Sequence, residues 1–565
     1  MQKVPTTPIA KRCWIFAAVL TAAFFVQSLT SSLLKSPTFD ETAHIAAGLS
    51  YWQTGAIVAN PQHPPLLKEL GGLSLLAAGI RLSDTPGVRA MEAGTPRAEY
   101  IAGAEVLRDH GPDRVLFWAR LPFLLLSSAL GLLLFWWGRQ MLRDTAALAA
   151  LFLYAFSPTI LAHSYLVTTD VGLAAFTTLF FFALWGYLCN PSWRRLLACG
   201  AAMGAMLASK FSAVILPPVA LLLMFGAKPQ AFWQPTKPEP RPKKAAKPRP
   251  SYSAANTLLA FLMMCAVAAV VVEACYFFPN DPLAYLFGVT RVNADHDPNH
   301  LVFLAGKLDH HFLWYFAVVW LLKEPLPALI LVAIGLVALL RSRAISALTK
   351  LFLLVAPAVL FAGYSLGADD LGIRYLIPIL PFAYLIGGWG LLALISAQSR
   401  WPRALAVALA LWLMTAAAGI YPDHLSYFNE LACLPSHASE IGLDGGSGCG
   451  VLWLDDHNVD WGGGVKQLET WIARHAPGRT VTVAYYGSFR PQFEGFQGPM
   501  VAFEQLLQSK APKPGLYAIS ANFVARAPAA AATSGVRSAW LQTARLIAVV
   551  GHAYYIYDVP DAGRR

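Results

Sequence analysis

Uninterrupted apolar stretches of about 20 residues recur along the first 420 positions, separated by short polar breaks. That is the length a helix needs to cross a bilayer. Spans are expected near 14–34, 115–137, 146–166, 171–188, 196–209, 211–227, 256–279, 312–340 with a break inside it, 351–366, 376–396 and 404–420, eleven crossings in all. Beyond 420 the pattern changes to short alternating runs. Val451–Leu454, Thr480–Tyr486, Leu516–Ser520, Leu546–Val550 and Tyr554–Asp558 read as strands, and Val465–His475 reads as a helix. The expected fold is a polytopic α-helical membrane unit over 1–420, followed by an extracytoplasmic α/β domain over 421–565.

Composition supports this division. Hydrophobic residues make up 56% of the chain and charged residues 13%, about half the usual charged share, which excludes a disordered, fibrous or disulfide-framework protein. The net charge of +11 would suggest a nucleic-acid partner if it covered one face, but the Pro-rich segment 228–250 alone holds seven basic residues against Glu239. That segment reads as a solvated linker. The other basic clusters (Lys3, Lys11 and Arg12; Arg139 and Arg143; Arg194 and Arg195; Arg341, Arg343 and Lys350; Arg400 and Arg403) all fall on its side of an eleven-span topology. By the positive-inside rule that side, with the N-terminus, is cytoplasmic, and the loop 35–113 and everything after 420 lie outside. The first span reads as an uncleaved helix. Cys433 and Cys449 lie outside, where a disulfide is permitted; the other five cysteines lie in or beside apolar spans.

The polar residues left at the outer membrane boundary carry the candidate chemistry. Ser36-Pro-Thr-Phe-Asp40-Glu41-Thr-Ala-His44 follows the first span directly. Thr38 with Glu41 makes a capping box, which explains Glu41; Asp40 stands where a base would meet a membrane-bound substrate. His44 shares a helix face with Asp40, which permits either a hydrogen-bonded pair or a divalent metal. Asn60-Pro-Gln-His63-Pro-Pro-Leu leads into an amphipathic stretch with Lys68 and Glu69 that is expected to lie in the interface plane. Asp170 ends the turn His163-Ser-Tyr165-Leu-Val-Thr168-Thr169-Asp170 and either caps the next helix or serves a site. Lys210, Lys323 and Arg374 interrupt apolar segments. Each alone is explained by snorkelling, but three cations on one face beside a carboxylate suit a phosphate. The His-rich loop 291–311, which includes His300, reads as solvated.

The motifs resemble a known family. Asp40-Glu41-x-x-His44, Gly48-Leu-Ser-Tyr51, Thr54-Gly55 and Asn60-Pro-Gln-His63-Pro-Pro-Leu look like the first outer loop of the bacterial polyprenyl-phosphate-dependent glycosyltransferases of the GT-C superfamily, which includes protein O-mannosyltransferases and lipid A aminoarabinose transferases. The likeness continues through Ser157-Pro-Thr-x-x-Ala-His163, Thr168-Thr169-Asp170, Lys210, His300-Leu-Val-Phe-Leu-Ala-Gly306, Trp314-Tyr315-Phe316, Lys323-Glu-Pro-Leu-Pro327 and Gly372-Ile-Arg374-Tyr375-Leu-Ile-Pro378. It implies a bacterial inner-membrane enzyme with Asp40 as catalytic base and Asp170 helping to form the site. The carrier phosphate would meet Lys210 and Arg374, with Lys323 a further candidate; His44, His63, His300 and Tyr375 are site-forming candidates, and Glu41 a catalytic one. The implied partners are a polyprenyl-phosphate-linked sugar, a protein or lipid acceptor and membrane lipids, with no nucleic acid; no cofactor is implied with certainty, and a divalent metal is permitted. Asp456-His457-Asn458-Val-Asp460-Trp461-Gly462 resembles a block in one bacterial branch that usually runs Asp-Ser-Asn-Leu-Asp-Trp-Gly-Gln-Asp; His457 and Gly463-Gly464 depart from it. Asp455, Asp456 and Asp460 either bind a cation or acceptor or form a solvated loop before the next helix.

Two rivals remain. A lipid-linked sugar flippase needs charged or broken helices at mid-membrane and often an internal repeat, and the polar breaks here fall at the outer edge. A non-catalytic assembly protein would tolerate loss of Asp40.

Overall fold

The computed structural model describes residues 8–226, 254–294, 300–508, 512–534 and 544–560; the basic segment 228–250 lies outside the described residues. Every expected apolar span forms helix, though not always as one crossing. Seven helices are long and apolar enough to span a membrane: Lys11–Leu33, Pro112–Met141, Asp170–Cys189, Ala254–Cys275, Ala347–Gly367, Ile373–Ile395 and Arg400–Gly419. An eighth crossing is a broken pair, Tyr315–Lys323 and Leu326–Arg341, bent by 111° at Glu324-Pro325. Proline there supplies no amide for the continuing helix and its ring excludes a straight path.

The other three expected spans are shorter. The 146–166 stretch divides into Asp144–Ala155 and Pro158–His163, because the residue before Pro158 is driven out of the helical region and Ser157 starts a new helix by accepting the Ile160 amide at 3.3 Å. Trp193–Leu207 and the helical stretch 211–226 stop on either side of Ser209-Lys210. These breaks bring Asp170 and Lys210 to helix ends.

The outer loop 35–113 contains four helices: Phe39–Thr54, Leu66–Ala77, Pro86–Glu92 and Ala98–His110. The first two cross where Gly48 meets Gly72, and a Cβ on Gly72 would lie 2.2 Å from the Gly48 carbonyl oxygen. Only glycine permits that approach. The second helix does not present Lys68 to an interface, as its amphipathic pattern suggested. Lys68 is buried and donates to the carbonyls of Asn60 at 2.6 Å and His63 at 2.8 Å, so its charge organises the loop ahead of it.

After 420 a four-stranded sheet runs in the order Val481–Ala484, Gly515–Ser520, Tyr554–Val559, Arg545–Val550, with the first pair parallel and the others antiparallel. Four of the five expected strands and the helix Val465–His475 are present. The fifth, Val451–Leu454, is instead part of a tight helical turn, Ser447–Leu452, in which Trp453 and Leu454 both donate to the Gly450 carbonyl. The preceding glycines and the disulfide between Cys433 and Cys449 favour the turn over an extended run too short to hold itself. The remaining five cysteines are free thiols.

This C-terminal region packs against the helix ends next to Ser36, Phe39 and Leu322. Ser36 and Phe39 donate backbone N–H groups to the carbonyls of Gly463 and Trp461 at 3.0 and 2.9 Å, and Asn429 donates to Leu322 at 2.8 Å. It therefore roofs the stretch that holds Asp40.

Candidate active site

Two ion pairs and one aromatic ring form the centre. Asp40, in the first turn of Phe39–Thr54, accepts from Arg374 Nη1 at 2.8 Å. Asp170, first residue of Asp170–Cys189, accepts from Lys210 Nζ at 2.8 Å. Tyr375 lies between the cations: Lys210 Nζ is 4.2 Å and the Arg374 guanidinium 6.0 Å from its ring centre. Four chain segments, from 40 to 375, thus converge on one point. Asp170 and Lys210 are buried, whereas Asp40 and Arg374 keep 20% and 14% of their side-chain surface. The Asp40 end is the open end.

Local sequence explains each placement. A carboxylate in a first helical turn is favoured by the helix dipole, which serves Asp40 and Asp170 alike. The Thr169 side chain makes no capping bond, and the Asp170 carboxylate is directed to Lys210. Lys210 has extended backbone at the break between two helices, where no helical neighbours hold its amine away. Arg374 belongs to a short 3-10 turn, Ile373–Ile379, entered through Gly372 at φ +85°. Gly372 is required twice, by that conformation and by the Asn458 and His457 side chains, which would stand 2.3–2.6 Å from a Cβ. Gly372→Ala is therefore expected to displace Arg374 from Asp40 and to lower the unfolding temperature; an unchanged unfolding temperature in that variant would show that the tight approach is not needed.

Glu41, by contrast, is consumed structurally. Its carboxylate is fully buried and receives the Thr38 amide and hydroxyl, the Val167 amide, and two bonds from Arg120 at 2.8 and 2.7 Å. Burial alone would raise its pKa, but the Arg120 guanidinium and these donors hold it below the usual carboxylate range. It anchors the helix that presents Asp40 and has no room to exchange protons with a substrate.

His44 donates through Nδ1–H to the Val167 carbonyl, 2.7 Å away, and its ring meets His63 edge-on at 5.6 Å. Burial pushes His44 down to about 4, which keeps it neutral, and lowers His63 in the same way. His44 packs the floor of the site and is not aimed at Asp40. Among the described residues no group of three or more His, Cys, Asp or Glu side chains could hold a metal ion; Asp40 bonds Arg374 and His44 bonds the Val167 carbonyl.

Lys323 takes a different place from its expected one. Its amine donates at 2.7 Å to the carbonyls of Leu425 and Asn458 and lies 4.3 Å above the Phe428 ring, so it ties the broken span to the C-terminal roof. His300 is exposed, its carbonyl paired with His310 Nδ1; no ion pair or hydrogen bond among the described residues brings it to the centre.

The acidic block 455–460 is neither a cation site nor a solvated loop. Asp455 pairs with Arg526, and Asp460 receives the Ser520 hydroxyl at 2.6 Å; burial raises them to about 7 and about 6. Burial would raise the Asp456 pKa, but His457 beside it, and after it the Tyr486 hydroxyl donated at 2.6 Å, keep it low. Trp461 carries the Arg374 guanidinium 5.1 Å from its ring, and Asn458 Oδ1 receives the Ile373 amide at 3.2 Å. The roof thus fixes Arg374 from above.

Two residues that hold the surroundings of the centre in place were not legible as such. Arg120, in the middle of an apolar run, was signalled by its charge alone. Trp461 had no signal beyond its motif, because what it does depends on a contact with Arg374, 87 positions away in the chain.

Residues 113–237 match the family model described as dolichyl-phosphate-mannose-protein mannosyltransferase. The stretch includes Asp170 and Lys210, and leaves out Asp40 and Arg374. No curated protein matches the chain. Among solved structures, ArnT from Cupriavidus metallidurans bound to undecaprenyl phosphate is similar at 13% identity and a TM-score of 0.43, covering 97% of this chain and 98% of that one. Its apo state gives 13% and 0.45. The oligosaccharyltransferase AglB from Archaeoglobus fulgidus, in complex with an inhibitory peptide and a dolichol-phosphate, gives 12% and 0.44, covering 84% of this chain and 63% of that one. Scores below 0.5 do not establish a shared fold.

Proposed function

We propose, from the family match over 113–237 and the paired charges at the outer helix ends, that this protein is a GT-C-type glycosyltransferase. It would move a sugar from a polyprenyl-phosphate carrier to an acceptor hydroxyl at the periplasmic face of a bacterial inner membrane. The observation that carries the reading is the convergence of Asp40, Arg374, Tyr375, Lys210 and Asp170 at one point. Such a set suits this reaction, because a lipid phosphate leaves with its charge neutralised by cations and needs no general acid, while a hydroxyl nucleophile needs a base.

Asp40 takes the acceptor proton as the hydroxyl oxygen attacks the anomeric carbon. The bond to the phosphate breaks on the opposite side, in one inverting displacement, and Arg374 and Lys210 receive the departing charge. Glu41, Arg120 and Lys323 act as positioning residues: the first two hold the helix of Asp40, and the third holds the roof. Helix-end placement of all four central charges favours an enzyme over a flippase, whose ionisable groups belong at mid-membrane.

Mass spectrometry of periplasmic proteins and lipids from cells with and without the gene, together with transfer by the purified protein, tests the reading. A sugar missing from one acceptor, and restored in vitro, is expected. Transbilayer movement of the carrier lipid without transfer would favour the flippase instead.

A further inference from the structure

The two cations assigned to the carrier phosphate are already engaged. Arg374 is bonded to Asp40 and Lys210 to Asp170, each at 2.8 Å, so as two ion pairs the four side chains sum to zero charge. An acceptor hydroxyl can hand its proton only to a carboxylate oxygen it can reach, and Arg374 Nη1 already occupies Asp40 Oδ2. An incoming phosphate needs those same donors. The Arg374 Nε is buried without a hydrogen-bond partner among the described residues. The Tyr375 ring, next to both cations, gives them a shared face over which to shift without entering a purely apolar surround.

On these grounds, and resting on the function proposed above, we infer that the carrier phosphate arms the site by ion-pair exchange, drawing Arg374 from Asp40 and Lys210 from Asp170 so that Asp40 becomes free to act as a base. The donor then binds before the acceptor can react. With no donor present, Asp40 stays masked.

Charge conservation through the reaction fits this exchange. The acceptor proton passes to Asp40, an electron pair on the acceptor oxygen forms the new bond to the anomeric carbon, and the pair from the broken bond stays on the phosphate oxygen. One negative charge disappears from Asp40 and one appears on the phosphate. Those are the two groups that share Arg374, so a guanidinium that moves with the charge is stabilised throughout, whereas one left on a protonated acid is not.

The test uses full-length protein in nanodiscs and undecaprenyl phosphate as the probe, with wild type, Asp40→Asn and Asp170→Asn compared by direct binding. Removing the competitor's charge, which leaves only a neutral acceptor, should tighten binding by roughly tenfold in each Asn variant, the extra worth of a charge-assisted hydrogen bond. Arg374→Gln and Lys210→Gln should weaken it. An ion pair that is only structural would not make its disruption favour the ligand. Unchanged or weaker binding in the Asn variants that elute and melt like wild type overturns the exchange and leaves the carrier reading standing. Wild-type protein that binds no undecaprenyl phosphate removes the carrier reading, and the exchange with it.

Discussion

Replacing Asp40 with Asn is expected to lower kcat for sugar transfer by ~10²–10⁴-fold, the range a positioned general base contributes, while the protein still folds and inserts. Two features separate function from folding here. Asp40 keeps 20% of its side-chain surface, so its charge is not part of a sealed core. The helix that carries it is started by Thr38 and Glu41, and neither contact involves the Asp40 carboxylate. The amide keeps the shape and can still accept from Arg374, but it cannot take a proton. Initial rates at saturating donor, with unfolding temperatures measured alongside, decide the matter. An Asn variant with wild-type kcat would remove Asp40 as the base and move the search to Asp170.

Arg120→Met should have the largest effect on stability. All five guanidinium donors of Arg120 are used: two on Glu41, and three on the carbonyls of Ser32, Lys35 and Ser36. Methionine fills much of the volume but leaves a fully buried carboxylate without its counter-ion. Breaking a buried pair from one side costs about 3–5 kcal/mol. A large fall in the unfolding temperature, with loss of yield, is expected. Adding Glu41→Gln should recover part of it, since the stranded charge is then gone.

The pH dependence follows from the same pair. The folded-state pKa of Glu41 is held below its ordinary value, so its contribution is present at neutral pH and is lost as pH falls through that lowered value. Wild type should therefore lose stability towards acid faster than the Glu41→Gln protein. Parallel acid profiles for the two would show that the pair adds nothing to the folded state.

Most of the frame was legible along the chain. Apolar length located each membrane helix, and the polar, proline-bearing interruption marked the break at 324–325, whereas the unbroken run 146–166 concealed the break at 157–158, and three expected spans proved to be shorter pieces. Asp40, Asp170, Lys210 and Arg374 stood out because charges beside apolar runs are costly and need a reason. The pattern of 66–77 did not show where Lys68 goes: a helix pattern does not say what covers its polar face, and here the loop at 60–63 covers Lys68.

Sequence by itself determined which charged residues border or interrupt the apolar runs, because hydrophobic length and charge act locally. Only the tertiary structure decided their partners. Glu41 and Asp40 are neighbours with the same charge, yet one is sealed by Arg120 and the other faces Arg374 at an opening. Lys323 and Lys210 look alike as interruptions, yet one ties down the roof and the other meets a carboxylate. A charge is structural or chemical according to how many of its donors and acceptors are already satisfied, and that is settled by residues tens to hundreds of positions away.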